Sequence, residues 1–203
     1  MKKEVRYALA AYILILIIAF FASIVFDLGE AESRHDPSSL WMYLRRGLMI
    51  IAAMALPWFT KRENPLALGW GLSVKWTIIA VLVGIAIGFG NAGGFDPRGF
   101  LAIILAIFHT FATELFFRGY LNRTFAAAFE SPWLGIILSA FLYGIFYLTV
   151  PPVWAQAWIG RILFVLLFTI LGIIFAYGYK RSGSFFVPWI MHFFGVLNYR
   201  LLI

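Results

Sequence analysis

Long apolar runs separated by short polar stretches make up most of the chain. Most of these runs approach the roughly 20 residues that an α-helix needs to cross the hydrocarbon core of a bilayer. The pattern therefore predicts an all-α fold, a polytopic membrane helical bundle that forms one domain over residues 1–203. We place about seven transmembrane helices, at residues 7–26, 40–60, 76–90, 100–121, 133–149, 162–179 and 184–201.

Two of these predicted helices carry unusual residues. Arg45 and Arg46 interrupt the second run. We expect its first turns to lie at the membrane interface, with both arginines reaching out to the headgroups. The third run contains Gly84 and Gly88, a small-xxx-small spacing that favours close contact with another helix.

Composition agrees with a membrane protein. Hydrophobic residues make up 63% of the 203 positions and charged residues 12%, whereas a soluble domain is about 25% charged. The net charge of +7 is then explained by basic loops at one membrane face, and we expect no nucleic-acid partner. The absence of cysteine from the sequence excludes disulfides, thiolate metal sites and cysteine nucleophiles.

The distribution of basic residues predicts the orientation of the bundle. A long apolar run follows the basic residues at the start of the chain without a clear cleavage site, so we interpret it as a first span that is retained. Lysine and arginine concentrate on one predicted side, which favours an amino terminus inside and a carboxyl terminus outside. The inner side holds Lys2, Lys3, Arg6, Lys61, Arg62, Lys75, Arg118, Arg123, Lys180 and Arg181; the outer side holds Arg34, Arg45, Arg46, Arg98, Arg161 and Arg200.

The stretch His109–Leu121 places charged residues inside an apolar run. An ionised carboxylate such as Glu114 is expensive at this depth unless it faces the protein interior and has a partner. Arg118 follows one helical turn later on the same face and can be that partner. The pair is either an architectural ion pair or part of a functional site. Thr113 and His109 are close by, and His109 is placed to hydrogen-bond Thr113.

Other polar residues in the spans are candidates of lower specificity. His192 lies on the last span, and Tyr143 and Tyr147 lie one turn apart on the fifth. A metal site would need His109, Glu114 and His192 together. His109 and Glu114 are separated by about 140° around a helix, and no HExxH motif occurs. We therefore predict no metal and no cofactor.

Three stretches together resemble the CPBP family, the CAAX-protease and bacteriocin-processing (Abi) membrane proteins. The family motifs are two adjacent glutamates followed after three residues by arginine, Phe-xxx-His, and His-xxx-Asn. Here they read TELFFRG from Thr113, YGIFY from Tyr143 and HFFGV from His192. The resemblance covers about half of the chain. It implies that residues 100–203 are the core helices and residues 1–99 are peripheral.

The resemblance also implies roles for individual positions. In this family of glutamate-type intramembrane endopeptidases, the first glutamate and the second-motif histidine activate a water molecule, and the third-motif histidine and asparagine stabilise the oxyanion. In this chain those positions are Thr113, Tyr147, His192 and Val196. Threonine and tyrosine stay protonated near neutral pH and cannot serve as a resting general base. Loss of one oxyanion donor typically costs about 10²–10³ in rate.

The retained motif positions are Glu114, Arg118 and His192. We therefore expect a proteolytically inactive member of the family that serves as a scaffold or subunit of a membrane protein complex. One alternative is an active atypical protease in which Glu114 acts with His109 or His192. Another is an immunity protein against a peptide toxin. The expected partners are membrane lipids and other membrane proteins, in the plasma membrane of a bacterium or archaeon.

Overall fold

Helices follow one another along nearly all of the chain that can be described. The computed structural model describes residues 2–25, 40–61, 64–89, 100–149 and 157–196, and these ranges contain no strand. The helices are α1 (Lys3–Val25), α2 (Leu40–Lys61), α3 (Val74–Phe89), α4 (100–128), α5 (Pro132–Phe146), α6 (Trp158–Ser182) and α7 (Phe186–Val196). A 3₁₀ turn, Tyr147–Thr149, extends α5. The predicted all-helical membrane bundle is confirmed.

Not every helix has the length and apolarity of a full membrane span. Four do within the described residues: Lys3–Phe21, Ile103–Ala128, Pro132–Thr149 and Trp158–Ser182. The helices α3 and α7 are apolar but shorter, with 16 and 11 residues. Helix α2 has 22 residues but contains two arginines. Several basic residues used to predict the orientation, among them Arg34, Arg62, Arg98 and Arg200, lie outside the described residues, and the orientation stays a prediction.

Helix α4 lies at the centre of the bundle. In its apolar window 67% of the residues are buried, compared with 17% for α6, which therefore forms part of the outer surface. Helix α4 contacts α1, α2, α5, α6 and α7. Tyr12 of α1 donates a hydrogen bond to the carbonyl oxygen of Leu142 in α5, at 2.8 Å. The first helix is thus tied into the bundle and does not stand apart from it.

The arginines of α2 point into the bundle. Arg45 and Arg46 are only 6% and 3% exposed. Their guanidinium carbons lie 5.3 and 5.6 Å from the ring centre of Phe146. The expectation that they extend to the headgroups was therefore wrong. The reason is that α2 packs against α4, and a buried guanidinium is tolerated where aromatic faces and polar side chains surround it.

Helices α3 and α7 pack at very short distance through glycine. A methyl group added at Gly84 would lie 2.6 Å from Cβ of Phe194 and 2.7 Å from the carbonyl oxygen of Met191. On the other helix, a Cβ at Gly195 would lie 3.0 Å from Ile87. The close helix contact predicted from the glycine spacing is observed at Gly84. It fixes the position of α7, which carries His192.

Candidate functional site

The TELFFRG motif lies where α4 changes its helical form. Phe100–Glu114 is α-helical, Leu115–Asn122 is a π-helix, and Arg123–Ala128 is α-helical again. A π-helix has i→i+5 hydrogen bonds, is rare, and occurs frequently at functional sites. All eight of its residues are buried. The motif is therefore carried on a wide helical segment that is enclosed by protein on every side.

Glu114, Arg118 and His192 meet in the interior. Arg118 Nη1 donates to Glu114 Oε1 at 3.1 Å, and His192 Nδ1 lies 2.6 Å from the same oxygen. The three residues are between 0% and 3% exposed. The three motif positions that the sequence retains therefore meet in the structure, and the carboxylate joins α4 to α7. We call these three residues the Glu114 cluster.

Aromatic rings and a backbone carbonyl complete the surroundings of Arg118. Its Nη2 donates to the carbonyl oxygen of Gly172 in α6, at 3.2 Å. The guanidinium carbon lies 4.3 Å from the ring centre of Tyr143 and 5.2 Å from that of Phe175. Stacked rings and oxygen acceptors are what a desolvated guanidinium requires. Arg118 thus contacts α5 and α6 as well as its own helix.

The two oxygens of Glu114 are used unequally. Oε1 receives both Arg118 and His192, whereas Oε2 is buried without a hydrogen-bond partner among the described residues. A buried acceptor without a donor usually costs about 1–3 kcal/mol. The cluster therefore has one oxygen that is available for a further donor.

Thr113 and His109 have partners other than each other's side chains. Thr113 is 1% exposed, and its hydroxyl donates to the backbone carbonyl of His109 at 2.8 Å. The His109 ring instead contacts Arg46, whose Nε donates to its Nδ1 at 3.2 Å. Thr113 does bond to His109, as expected, but to its main chain. The ring centres of His109 and His192 are 6.1 Å apart, so His109 borders the cluster.

The second-motif tyrosines form a connected pair. Their hydroxyl oxygens are 3.1 Å apart. The ring of Tyr147 lies almost parallel to that of Phe168 in α6, with 3.5 Å between the centres. Tyr143 connects this pair to Arg118. The third-motif position, Val196, is half-buried at the end of α7, one turn beyond His192.

Sequence reasoning missed several contributors to this site. Arg46, Phe175 and the carbonyl of Gly172 all contact it directly or through His109. The signal for Arg46 was present, because a charge within an apolar run is by default a functional or paired residue. Nothing in the local sequence marked Phe175, whose ring lies 5.3 Å from that of His192. Within the described residues there is no group of three or more side chains placed to hold a metal ion.

The half of the chain that contains the Glu114 cluster matches a known protein family. A family model described as Rce1-like, type II CAAX prenyl endopeptidase Rce1-like, matches residues 96–197. The match includes all three motif stretches. Comparisons with curated proteins and with solved structures found no match.

Proposed function

The chain belongs to the Rce1-like type II CAAX prenyl endopeptidase family of integral membrane proteins, and from that premise we propose that it is an inactive member that serves as a scaffold or subunit of a membrane protein complex. In this proposal the Glu114 cluster stabilises the helix arrangement and performs no chemistry.

The proposal rests on the contacts of Thr113 and Tyr147, which occupy the two positions that activate water in the family. Thr113 donates its hydroxyl hydrogen to a backbone carbonyl of its own helix. Tyr147 is paired with Tyr143 and stacked on Phe168. Neither side chain is a base near neutral pH, and each has a local partner that accounts for its orientation. Hydrolysis in a membrane needs an activated water molecule, and these two positions supply no group to activate it.

The enclosure of Glu114 supports the same proposal. The residue is 0% exposed, and its Oε1 is occupied by a guanidinium and an imidazole. A carboxylate held in this way is suited to joining helices, because breaking a buried ion pair is strongly destabilising. The same contacts limit its ability to turn toward a substrate.

A peptidase assay tests the proposal. The purified chain, reconstituted in liposomes, is incubated with a prenylated CAAX peptide. We expect no cleavage above that of liposomes without protein. Glu114→Gln keeps the size of the side chain and removes its charge, and it serves as the comparison at a temperature where its thermal transition shows it to be folded. The triple variant Thr113→Glu, Tyr147→His, Val196→Asn restores the two water-activating groups and the second oxyanion donor, and it is the variant in which activity should appear. Cleavage by the native chain that Glu114→Gln abolishes would contradict the proposal.

One observation favours a second candidate function, an active atypical protease. His192 Nδ1 lies 2.6 Å from Glu114 Oε1, and Oε2 has no donor among the described residues. A carboxylate with a free oxygen beside a histidine can act as an acid–base pair if a water molecule reaches it. His109 is a weaker partner for Glu114, because its ring contacts Arg46. In the same assay this function predicts loss of activity in both Glu114→Gln and His192→Asn.

A further inference from the structure

A second polar site lies away from the Glu114 cluster, at one end of the bundle. A cavity of about 220 Å³ opens between the first turn of α1, the last turn of α2 and the end of α4. Its wall includes Glu4, Thr60, Tyr120, Arg123 and Thr124. Gly119 of the TELFFRG motif also lines the cavity, but the motif assigns no role to the polar residues of this wall.

The charges on the cavity wall are separated from one another. Glu4 and Arg123 both line the cavity, yet within the described part of the chain they form no ion pair with each other. Lys2, immediately before α1, forms an ion pair with Glu130, beyond the end of α4, at 3.6 Å. The cavity therefore presents one negative and one positive group to a common space.

Tyr120 adds a polar group that lacks a partner. The residue is 3% exposed, and its hydroxyl is buried with no hydrogen-bond partner among the described residues. Buried hydroxyls are normally satisfied by protein, water or ligand, because an unmade bond is costly. Thr60 differs, since its hydroxyl already donates to the carbonyl of Leu56 at 2.6 Å. Tyr120 lines the cavity, and its unpaired hydroxyl, which has almost no accessible surface, lies just behind this wall.

The position of the cavity restricts what can occupy it. The beginning of α1 and the ends of α2 and α4 lie together there, so the cavity is at the level where apolar spans give way to water. This is where phospholipid headgroups lie. Arginine matches phosphate geometry through its planar set of donors, and a carboxylate accepts hydrogen bonds from a primary ammonium group.

We propose that this cavity binds a phosphate–ammonium headgroup, as in phosphatidylethanolamine. Arg123 holds the phosphate, Tyr120 turns its unpaired hydroxyl toward the same group, and Glu4 accepts hydrogen bonds from the ammonium group. Phosphatidylglycerol lacks the cation, and phosphatidylcholine carries a quaternary ammonium with no donor hydrogen, so both bind more weakly. Headgroup binding at this cavity does not depend on whether the Glu114 cluster has activity.

Lipid binding measured by native mass spectrometry tests the site. The full chain is purified in detergent and titrated separately with phosphatidylethanolamine, phosphatidylcholine and phosphatidylglycerol. We expect phosphatidylethanolamine to bind most tightly. Glu4→Gln, Tyr120→Phe and Arg123→Gln should each reduce its affinity by up to about fivefold, the size expected for one partly exposed charge contact or one hydrogen bond.

A control variant outside the cavity and a change in lipid preference complete the test. Arg181→Gln removes an exposed arginine at the end of α6, outside the cavity wall, and should leave the lipid preference unchanged. Glu4→Gln should also reduce the ratio of the affinity for phosphatidylethanolamine to the affinity for phosphatidylglycerol. The substitution removes the repulsion between the Glu4 carboxylate and the anionic lipid. Equal affinity for the three lipids, or cavity variants that behave like Arg181→Gln, would overturn the proposal.

The source of the headgroup is distinguished by a competition. Phosphoethanolamine, the soluble headgroup, is added to the complex with phosphatidylethanolamine. Displacement only at concentrations far above that of the lipid identifies a membrane lipid as the occupant, since acyl chains add binding to the bilayer-facing surface. Displacement at equal concentration supports the site with a soluble occupant. Failure of both molecules to bind would show that the cavity does not recognise this chemistry.

Discussion

At the scale of single residues, Glu114 joins two other buried polar side chains in the interior. Its carboxylate holds Arg118 and His192 through one oxygen, and Arg118 in turn reaches the carbonyl of Gly172. Tyr147, by contrast, uses its hydroxyl for one bond to Tyr143. The loss of the Glu114 carboxylate therefore removes more interactions than the loss of the Tyr147 hydroxyl, although both residues lie in the family motifs.

Glu114→Gln should destabilise the protein more than Tyr147→Phe. The first substitution leaves the buried guanidinium of Arg118 without its counter-charge, at a cost of about 3–5 kcal/mol. The second removes one hydroxyl pair, worth about 1 kcal/mol, and keeps the ring stacked on Phe168. Thermal unfolding of both variants in one detergent measures the difference. Equal transition temperatures would argue against an ion pair that stabilises the fold.

At the scale of helices, the contact between α3 and α7 depends on the absence of a side chain. Gly84 lies against the backbone of Met191 and the Cβ of Phe194. Gly47 of α2 is a useful contrast, because a Cβ there would meet nothing within 4 Å. Both glycines are inside helices, where alanine is intrinsically favoured by about 1 kcal/mol.

Gly84→Ala should therefore destabilise the protein by about 1–3 kcal/mol, since the new methyl group forces backbone or rigid atoms apart. Gly47→Ala, the matched control, should be neutral or slightly stabilising. Alanine has a higher helix propensity than glycine, and the added methyl group meets no atom within 4 Å. Reversible unfolding in mixed micelles can compare the two variants with the native chain. A Gly84→Ala variant as stable as Gly47→Ala would mean that α3 and α7 can move apart without lowering the free energy of unfolding.

The sequence predicted the ion pair of helix α4 but not the full helical form of its backbone. A run of apolar residues with Glu114 and Arg118 one turn apart predicts a helix with an internal ion pair, and both are observed. The π-helical form of Leu115–Asn122 was not predicted. All eight of its residues are buried against helices from other parts of the chain, and a local sequence pattern does not contain those contacts.

At the scale of the whole molecule, the proposed role is association with other membrane proteins. Purification of the tagged chain in mild detergent should recover membrane proteins in amounts comparable to its own, identified by mass spectrometry. Thr113→Val should recover the same proteins, because Thr113 is buried and its hydroxyl bonds within its own helix. A chain that purifies alone would contradict the scaffold role and direct attention to the peptidase assay.

The bundle as a whole was predictable because bilayer crossing depends on local composition. Run length and apolarity identified the helices from α1 to α7, and the motif spacing identified the family that the match over residues 96–197 confirms. The direction of Arg45 and Arg46 was predicted wrongly. Hydropathy identifies a costly charge but not the side of the helix on which a partner will be found.

The sequence by itself determined that this chain is a helical membrane protein with Glu114 and Arg118 paired on one helix, because hydrophobicity and one-turn spacing are local properties. Only the tertiary structure decided that His192, 78 positions away, shares the carboxylate. It also decided that Arg46 turns inward to His109 and that Glu4 and Arg123 face a common cavity. The physical reason is that helices in a bilayer are apolar on most sides. Their rotation is then set by contacts between helices, which no single stretch of sequence contains.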